Sequence, residues 1–305
     1  MTQLQRTRRR RIVKAALAAL LPALAGCSGF FPPLPNSGGG GGSTGNYVYV
    51  ANANRGSVSG FAIGTDKLTK VSGSPLALGY QPTALAITPS NSFLYVAGPS
   101  SINVYAINSN GSLTTPSGGA TAAIATVVSL AISPDGNWLV GLDGIQQLLD
   151  VYQINTSTGG LAAILTVPYD AGSSTWVPRM VRFSPNASYI FAALGTAGDV
   201  IFTFNTASGA TAYTGQRINL ATATSDNALA VDSPSTHLYV ARSGVGPGVA
   251  VYTIGNNGQL TAVAGSPFTA GTQAYSLAFA NSGANVYAAN RGDSTISGYS
   301  ISSAF

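Results

Sequence analysis

A three-strand phrase recurs along this chain about every 48 residues, and this repetition limits the fold more than any other feature. Its clearest copy lies between Pro82 and Ile107. Ala84-Leu85-Ala86-Ile87-Thr88 ends in the turn Pro89-Ser90-Asn91-Ser92. Phe93-Leu94-Tyr95-Val96-Ala97 follows and exits through Gly98-Pro99, and Ile102-Asn103-Val104-Tyr105-Ala106-Ile107 completes the phrase. Apolar and aromatic runs of about five to seven residues, separated by Pro, Gly, Asn and Ser, are the chemistry of strands and turns. Anchoring on the middle of the second strand gives Tyr49, Tyr95, Val140, Phe191, Tyr239 and Tyr287, at spacings of 46, 45, 51, 48 and 48.

A fourth strand comes from a second repeat. Leu68-Thr69-Lys70-Val71-Ser72-Gly73-Ser74-Pro75 returns as Leu260-Thr261-Ala262-Val263-Ala264-Gly265-Ser266-Pro267 at an offset of 192, four times 48. Each full unit therefore holds an innermost, a second, a third and an outer strand. The innermost are expected at Ala84–Thr88, Val128–Ser133, Met180–Ser184, Ala228–Asp232 and Tyr275–Ala280. The third strands are expected at Val58–Ile63, Ile102–Ile107, Leu149–Ile154, Val200–Asn205, Val249–Ile254 and Thr295–Ile301. Four short antiparallel strands per unit predict an all-β fold, a β-propeller of about six blades over residues 46–305. The first unit begins at its second strand and the last stops at its third. Six blades that close imperfectly are favoured, and an incomplete seven-bladed ring is the alternative.

Ahead of the repeats, Arg6 to Arg11 and Lys14 precede the apolar run Ala15 to Ala25 and then Leu24-Ala25-Gly26-Cys27. The run is shorter than the roughly 20 residues a bilayer span needs, so residues 1–27 read as a signal peptide. Leu-Ala-Gly-Cys resembles a bacterial lipobox, which implies lipidation at Cys27; the alternative is an ordinary secretory signal with an incidental cysteine. Arg9-Arg10-Arg11-Ile12-Val13-Lys14 also resembles a twin-arginine export signal. Residues 28–45, with Gly38 to Gly42 in a row, form a Pro/Gly-rich tether. As a flexible coil it would reach about 23 Å. The expected location is the bacterial cell envelope, with the membrane as partner through the lipid.

Cys27 is the sole cysteine, so the mature domain is left without disulfides, zinc–thiolate sites or a cysteine nucleophile. Six of the fourteen basic residues lie in the leader, leaving 14 − 6 = 8 against nine acidic residues, a net charge of −1. That balance offers no basic face to neutralise phosphates, so no nucleic-acid partner is expected. All nine acidic residues are Asp. Without Glu, a second His or a dense Asp spacing, no metal site and no cofactor are expected.

The segments Pro-x-x-x-Ala-Ile-x-Pro, Phe-Leu-Tyr-Val-Ala, Val-Tyr-x-Ile and Gly-x-Leu-Thr resemble the β-propeller lactonase family, which includes 6-phosphogluconolactonase. They are also similar to the YVTN-repeat propellers of bacterial surfaces. The likeness spans about residues 46 to 305 and rests mostly on strand and turn residues. Lactonase-like members have seven blades, whereas this chain has room for about six.

Because adjacent strands alternate in direction, the second–third loops and the outer–innermost loops emerge on one face, around the channel mouth. Candidate ligand-binding residues there are Asn52, Arg55, Tyr80, Trp176, Arg242, Asn290 and Arg291, within a ring that also holds Asn54, Gln81, Asp143, Asp226, Asn227, Gln273 and Asp293. Several Arg in such a ring suit an anionic or sugar-like ligand through forked hydrogen bonds; the alternative is that all are ordinary polar loop ends.

Trp176-Val177-Pro178-Arg179-Met180-Val181-Arg182-Phe183 resembles the lactonase segment Pro-Arg-His-Met-x-Phe, and the resemblance makes Arg179 the catalytic candidate. Met180 stands where the family has His, which removes the natural general base. Arg182 reads as an inter-blade hydrogen bond to backbone. His237 falls in an innermost–second turn on the opposite face and reads as a solvated turn residue. Arg291-Gly292-Asp293 spells an integrin-type tripeptide and reads as coincidence, and Trp138 reads as core. The expectation is a monomeric, lipid-anchored propeller that binds a small-molecule or protein ligand at its loop face, with a lactone hydrolase as the alternative.

The anchor is directly testable. Cys27→Ser should move the protein from the membrane to the soluble fraction with its circular dichroism unchanged. Continued membrane fractionation, with no lipid mass on the wild type, would remove the lipoprotein reading.

Overall fold

A computed structural model describes residues 46–302 apart from 120, 173–174 and 281–282. The leader, Cys27 and the tether lie outside the described residues. Six antiparallel sheets follow one another as propeller blades. Blade one contains Tyr47–Asn52, Ser57–Ile63 and an outer strand in two pieces, Leu68–Lys70 and Leu76–Ala77. Blade two contains Ala84–Ile87, Phe93–Ala97, Ile102–Ile107 and the outer pieces Leu113–Thr114 and Thr121–Ala123.

The next three blades hold four strands each. Blade three is Val127–Ile132, Trp138–Asp143, Leu148–Ile154 and Leu161–Pro168, and blade four is Met180–Phe183, Tyr189–Ala193, Asp199–Phe204 and Thr211–Ile218. Blade five is Thr224–Val231, His237–Gly244, Gly248–Ile254 and Leu260–Ala262. Blade six is Ala274–Ala280, Asn285–Asn290 and Thr295–Ser300. The expected strands are found within a few residues of their predicted bounds. The repeated Leu-Thr segment is the outer strand in both copies, and its Ser closes the ladder where the strand breaks. Ser74 Oγ accepts from Gly60 N at 2.9 Å, and Ser266 Oγ accepts from Val251 N at 2.9 Å.

Innermost strands of blades two to six run side by side and wall the central channel. Between consecutive blades the facing side chains form one apolar cluster each, giving five clusters for blades one–two, two–three, three–four, four–five and five–six. A latch reinforces four of these seams. The ring two residues before each anchor lies on a glycine in the third–outer turn of the next blade: Tyr47 on Gly111, Phe93 on Gly159, Trp138 on Gly209 and Tyr189 on Gly258. A Cβ at Gly209 would stand 2.2 Å from the Trp138 ring, and its φ of +70° also favours glycine. Polar tips complete the latches, with Tyr49 Oη donating to Gly111 O, Tyr95 Oη to Gly159 O and Trp138 Nε1 to Thr206 O, each at 2.7 Å. Trp138, read from the sequence as core, is buried at 4% exposure.

No cluster among the described residues joins blade six to blade one. Asn285 replaces the latching ring, and the shorter turn at Gly64 receives none. On the far face of blade six, Ala278, Tyr287, Ala289 and Ile296 are exposed, Tyr287 at 41% and Ile296 at 73%, whereas the equivalent Tyr95 is at 0%. The imperfect closure expected from the sequence is therefore a bare blade face.

That asymmetry predicts unequal mutational costs at equivalent positions. Tyr95→Ala should lower stability to urea by about 3–5 kcal/mol, as large core deletions do, and Tyr287→Ala by less than about 1 kcal/mol. Equal losses would mean that the sixth-blade face is covered in solution.

Candidate functional site

The mouth residues divide between those locked into their own hairpins and those gathered at the seam of blades four and five. Asn52 and Asn290 belong to the first group. Asn52 Nδ2 donates to Ser59 Oγ at 3.0 Å and Asn290 Nδ2 to Ser297 Oγ at 2.9 Å, so both amides clamp a second–third hairpin. Tyr80 packs its ring against Gly98, where a Cβ would come within 2.6 Å, and burial raises its hydroxyl pKa. Trp176 is half-buried against the cluster between blades three and four.

Asn54 and Arg55 are exposed within the 3-10 turn Ala53–Arg55, and Gln81 and Gln273 are exposed as well. Arg291 is exposed with its guanidinium 5.2 Å from the Tyr275 ring centre. Asp293 accepts from Thr272 N and Thr295 Oγ1, both at 2.8 Å. Asp143 is buried and accepts from Thr126 Oγ1 at 2.8 Å and from the backbone N–H groups of Ile145 and Gln146. Asn227 Nδ2 donates to Ala274 O at 3.0 Å and so ties blade five to blade six. His237 begins the second strand of blade five at the opposite end, 3.0 Å from Asp232.

The seam of blades four and five is chemically different. Asp226 N donates to Gly195 O at 3.1 Å, which joins the start of blade five to the second–third loop of blade four. Asp226 is fully buried and accepts two bonds from Arg242, Nε to Oδ1 and Nη2 to Oδ2, both at 2.7 Å. The same Nη2 donates to Tyr252 Oη at 3.0 Å. Arg242, expected to face a ligand, is thus engaged by a buried carboxylate in a fork-to-fork pair.

Asp199, absent from the sequence candidates, completes the group. It opens the third strand of blade four in a slot that Val58, Ile102, Leu149, Val249 and Ile296 fill in the other blades. Its exposure is 0%, and as a carboxylate neither oxygen finds a donor. Burial, then the charge of and a hydrogen bond to Asp226, push its pKa well above the ordinary 3.8. Burial and the neighbouring Asp226 thus favour the neutral form of Asp199, which can donate to Asp226 as an acid. An acid in a slot that is otherwise aliphatic is a signal that aligning the repeats can reveal.

Arg179 stands beside this group. Its backbone N donates to Ala193 O at 2.8 Å, and a Cβ at Gly195 would lie 3.6 Å from its Nε. That Nε is buried and has no acceptor among the described residues. Among the described residues no three His, Cys, Asp or Glu side chains converge as a metal site would require. A recess of about 450 Å³ lined by Trp138, Gln153, Asn155 and Thr206 opens near the opposite end and contains no ionisable group.

Comparison with solved structures places the fold among propellers. The chain is similar to a 6-phosphogluconolactonase candidate from Bacteroides uniformis (TM-score 0.68, 19% identity, 84% of this chain and 78% of that one). It is also similar to the periplasmic gluconolactonase of Pseudomonas aeruginosa (TM-score 0.68, 20% identity, 91% of this chain and 81% of that one). A Lactobacillus plantarum protein aligns with a TM-score of 0.70 at 17% identity over 86% of this chain and 80% of its own. No family model matches the chain, and no curated protein matches it.

The buried acid pair gives stability a defined pH dependence. Above the ordinary value of 3.8 the unfolded Asp199 loses its proton while the folded one keeps it. The folded state then binds more protons, so stability falls as pH rises until the folded pKa is passed. Asp199→Asn has no such slope and should gain on the wild type in urea unfolding as pH rises above that ordinary value. A constant difference between the two would place the proton elsewhere.

Proposed function

We propose that this protein is a lipid-anchored, extracytoplasmic propeller that binds a small polar ligand at the channel mouth of blades four and five. The observation that carries this reading is the buried Arg179 Nε, which lacks an acceptor among the described residues and lies beside the Gly195 loop. A buried donor without a partner costs about 1–3 kcal/mol, and a ligand carbonyl or hydroxyl oxygen would offset that cost. The leader and Cys27 support export and anchoring.

Lactone hydrolysis is the second reading, favoured by the names of the similar structures. In it Arg179 would donate to the oxyanion that develops on the lactone carbonyl. The periplasmic location of the Pseudomonas aeruginosa gluconolactonase favours a neutral sugar lactone over a phosphorylated one. The site is short of a base for the attacking water. Met180 occupies the place of the family His, Asp199 is a neutral acid, and His237 is paired with Asp232 at the other end. Binding without turnover is therefore the better-supported reading.

The deciding assay offers neutral and phosphorylated lactones near pH 7 to the wild type, to Arg179→Ala and to His237→Ala. If hydrolysis occurs, the Arg179 change should lower the rate by about 10² or more, as loss of an oxyanion donor does, with His237→Ala unaffected. Absence of turnover leaves the binding reading, and Arg179→Ala is then the variant to compare with wild type against sugar ligands.

A further inference from the structure

The seam between blades four and five holds one more charge that neither the site nor the repeat explains. Arg182 lies on the innermost strand of blade four, paired with Phe191. The same slot is alanine in the other blades that have an innermost strand: Ala86, Ala131, Ala230 and Ala278. A guanidinium has thus replaced a methyl group at the wall of the channel. The backbone hydrogen bond expected for it from the sequence is not formed, and among the described residues it has neither a hydrogen bond nor a carboxylate partner. Burial alone draws its pKa down, to about 10, with no opposing contribution from a neighbouring charge.

The other seam charges do not compensate it. Along its own face of blade four Arg182 has Met180, Phe191, Ala193, Ile201 and Asp199. Across the seam blade five presents Asp226 and Arg242, which neutralise each other. Asp199 keeps its proton, so the seam carries a net positive charge centred on Arg182. Guanidinium keeps its proton at ordinary pH, and a half-buried cation with no partner in the protein gains from an anion that joins it. Arg182 is only half-buried, so small solutes in the channel can reach it.

We propose that Arg182 is the anchor of a binding site for a small oxyanion in the channel wall, distinct from the Arg179 mouth and independent of any hydrolytic activity. The guanidinium fork suits the geometry of phosphate or carboxylate oxygens, which it can hold with two parallel hydrogen bonds.

The test uses inorganic phosphate as the probe and follows thermal unfolding of the full chain at fixed ionic strength, with chloride as the balancing anion. Wild type should show a saturable rise in Tm with phosphate, as a ligand bound only by the folded state produces. Arg182→Ala should lose that response and, without phosphate, melt no lower than wild type, since alanine fits the slot in four other blades. Arg182→Lys keeps the charge without the fork and should respond more weakly than wild type. An equal phosphate response in wild type and Arg182→Ala would overturn the proposal, as would absence of a saturable response in wild type. A clear fall in Tm for Arg182→Ala in phosphate-free buffer would overturn it as well, by assigning Arg182 a structural role.

Discussion

The structure depends on one contact made again and again: the face of each blade laid against the next, fastened by an aromatic ring on a turn glycine. A four-stranded sheet of this size cannot bury both faces alone, and each blade supplies the cover for its predecessor. The latch requires glycine for two separate reasons. The ring occupies the space of a Cβ, and the turn needs positive φ, as at Gly111 (+79°) and Gly159 (+75°). Between blades three and four the packing extends into edge-to-face aromatic pairs, Trp138 on Phe204 and Phe183 on Phe204, at 6.1 and 4.9 Å. Where the ring is missing, between blades six and one, no apolar cluster forms among the described residues.

These same features made the fold legible in the sequence. Strand spans follow from alternating apolar and aromatic residues, turns from Pro, Gly and Asn, and blade number from the period, all of them local signals. Even the open seam was foreshadowed, because the first unit lacks an innermost strand and the last an outer one. The candidate site was much less legible, since a polar residue's role depends on what the fold sets opposite it. Asn52 and Asn290 looked available for a ligand, yet each clamps its own hairpin through hydroxyls five and seven residues on. Arg242 looked like a free fork, and only the register of blade five shows that Asp226 occupies it. Asp199 was hidden because a single Asp at the head of an apolar strand resembles a turn residue.

A low charge density raises the stakes of each buried ion. With eight per cent of residues charged, the chain has few spare partners. Three arginines and two aspartates nevertheless meet at the mouth and seam of blades four and five. Were Asp199 ionised there, the seam would hold two buried carboxylates against Arg242. Protonation of Asp199 removes that repulsion, the usual outcome when two acids share one site. The consequence is an excess of positive charge on blade four, carried by Arg179 at the mouth and Arg182 below it.

In a chain built from near-identical units, polar residues can be sorted by whether the repeat reproduces them. The clamp of Asn52 with Ser57 and Ser59 recurs as Asn290 with Thr295 and Ser297, and its recurrence at unrelated places around the propeller identifies it as hairpin chemistry. The Ser hydroxyls at positions 74 and 266 repeat for the same reason, each standing in for a missing strand bond. Asp199 and Arg182 do not repeat: one displaces an aliphatic residue found in five other blades, the other an alanine found in four. A substitution that breaks the apolar pattern in a buried slot lowers stability unless something compensates, so its presence calls for a role that packing does not supply. Both breaks lie on the same face of blade four, next to the Arg179 that the mouth leaves unsatisfied. Blade four is therefore where the repeat yields to chemistry, and the other blades hold it in place.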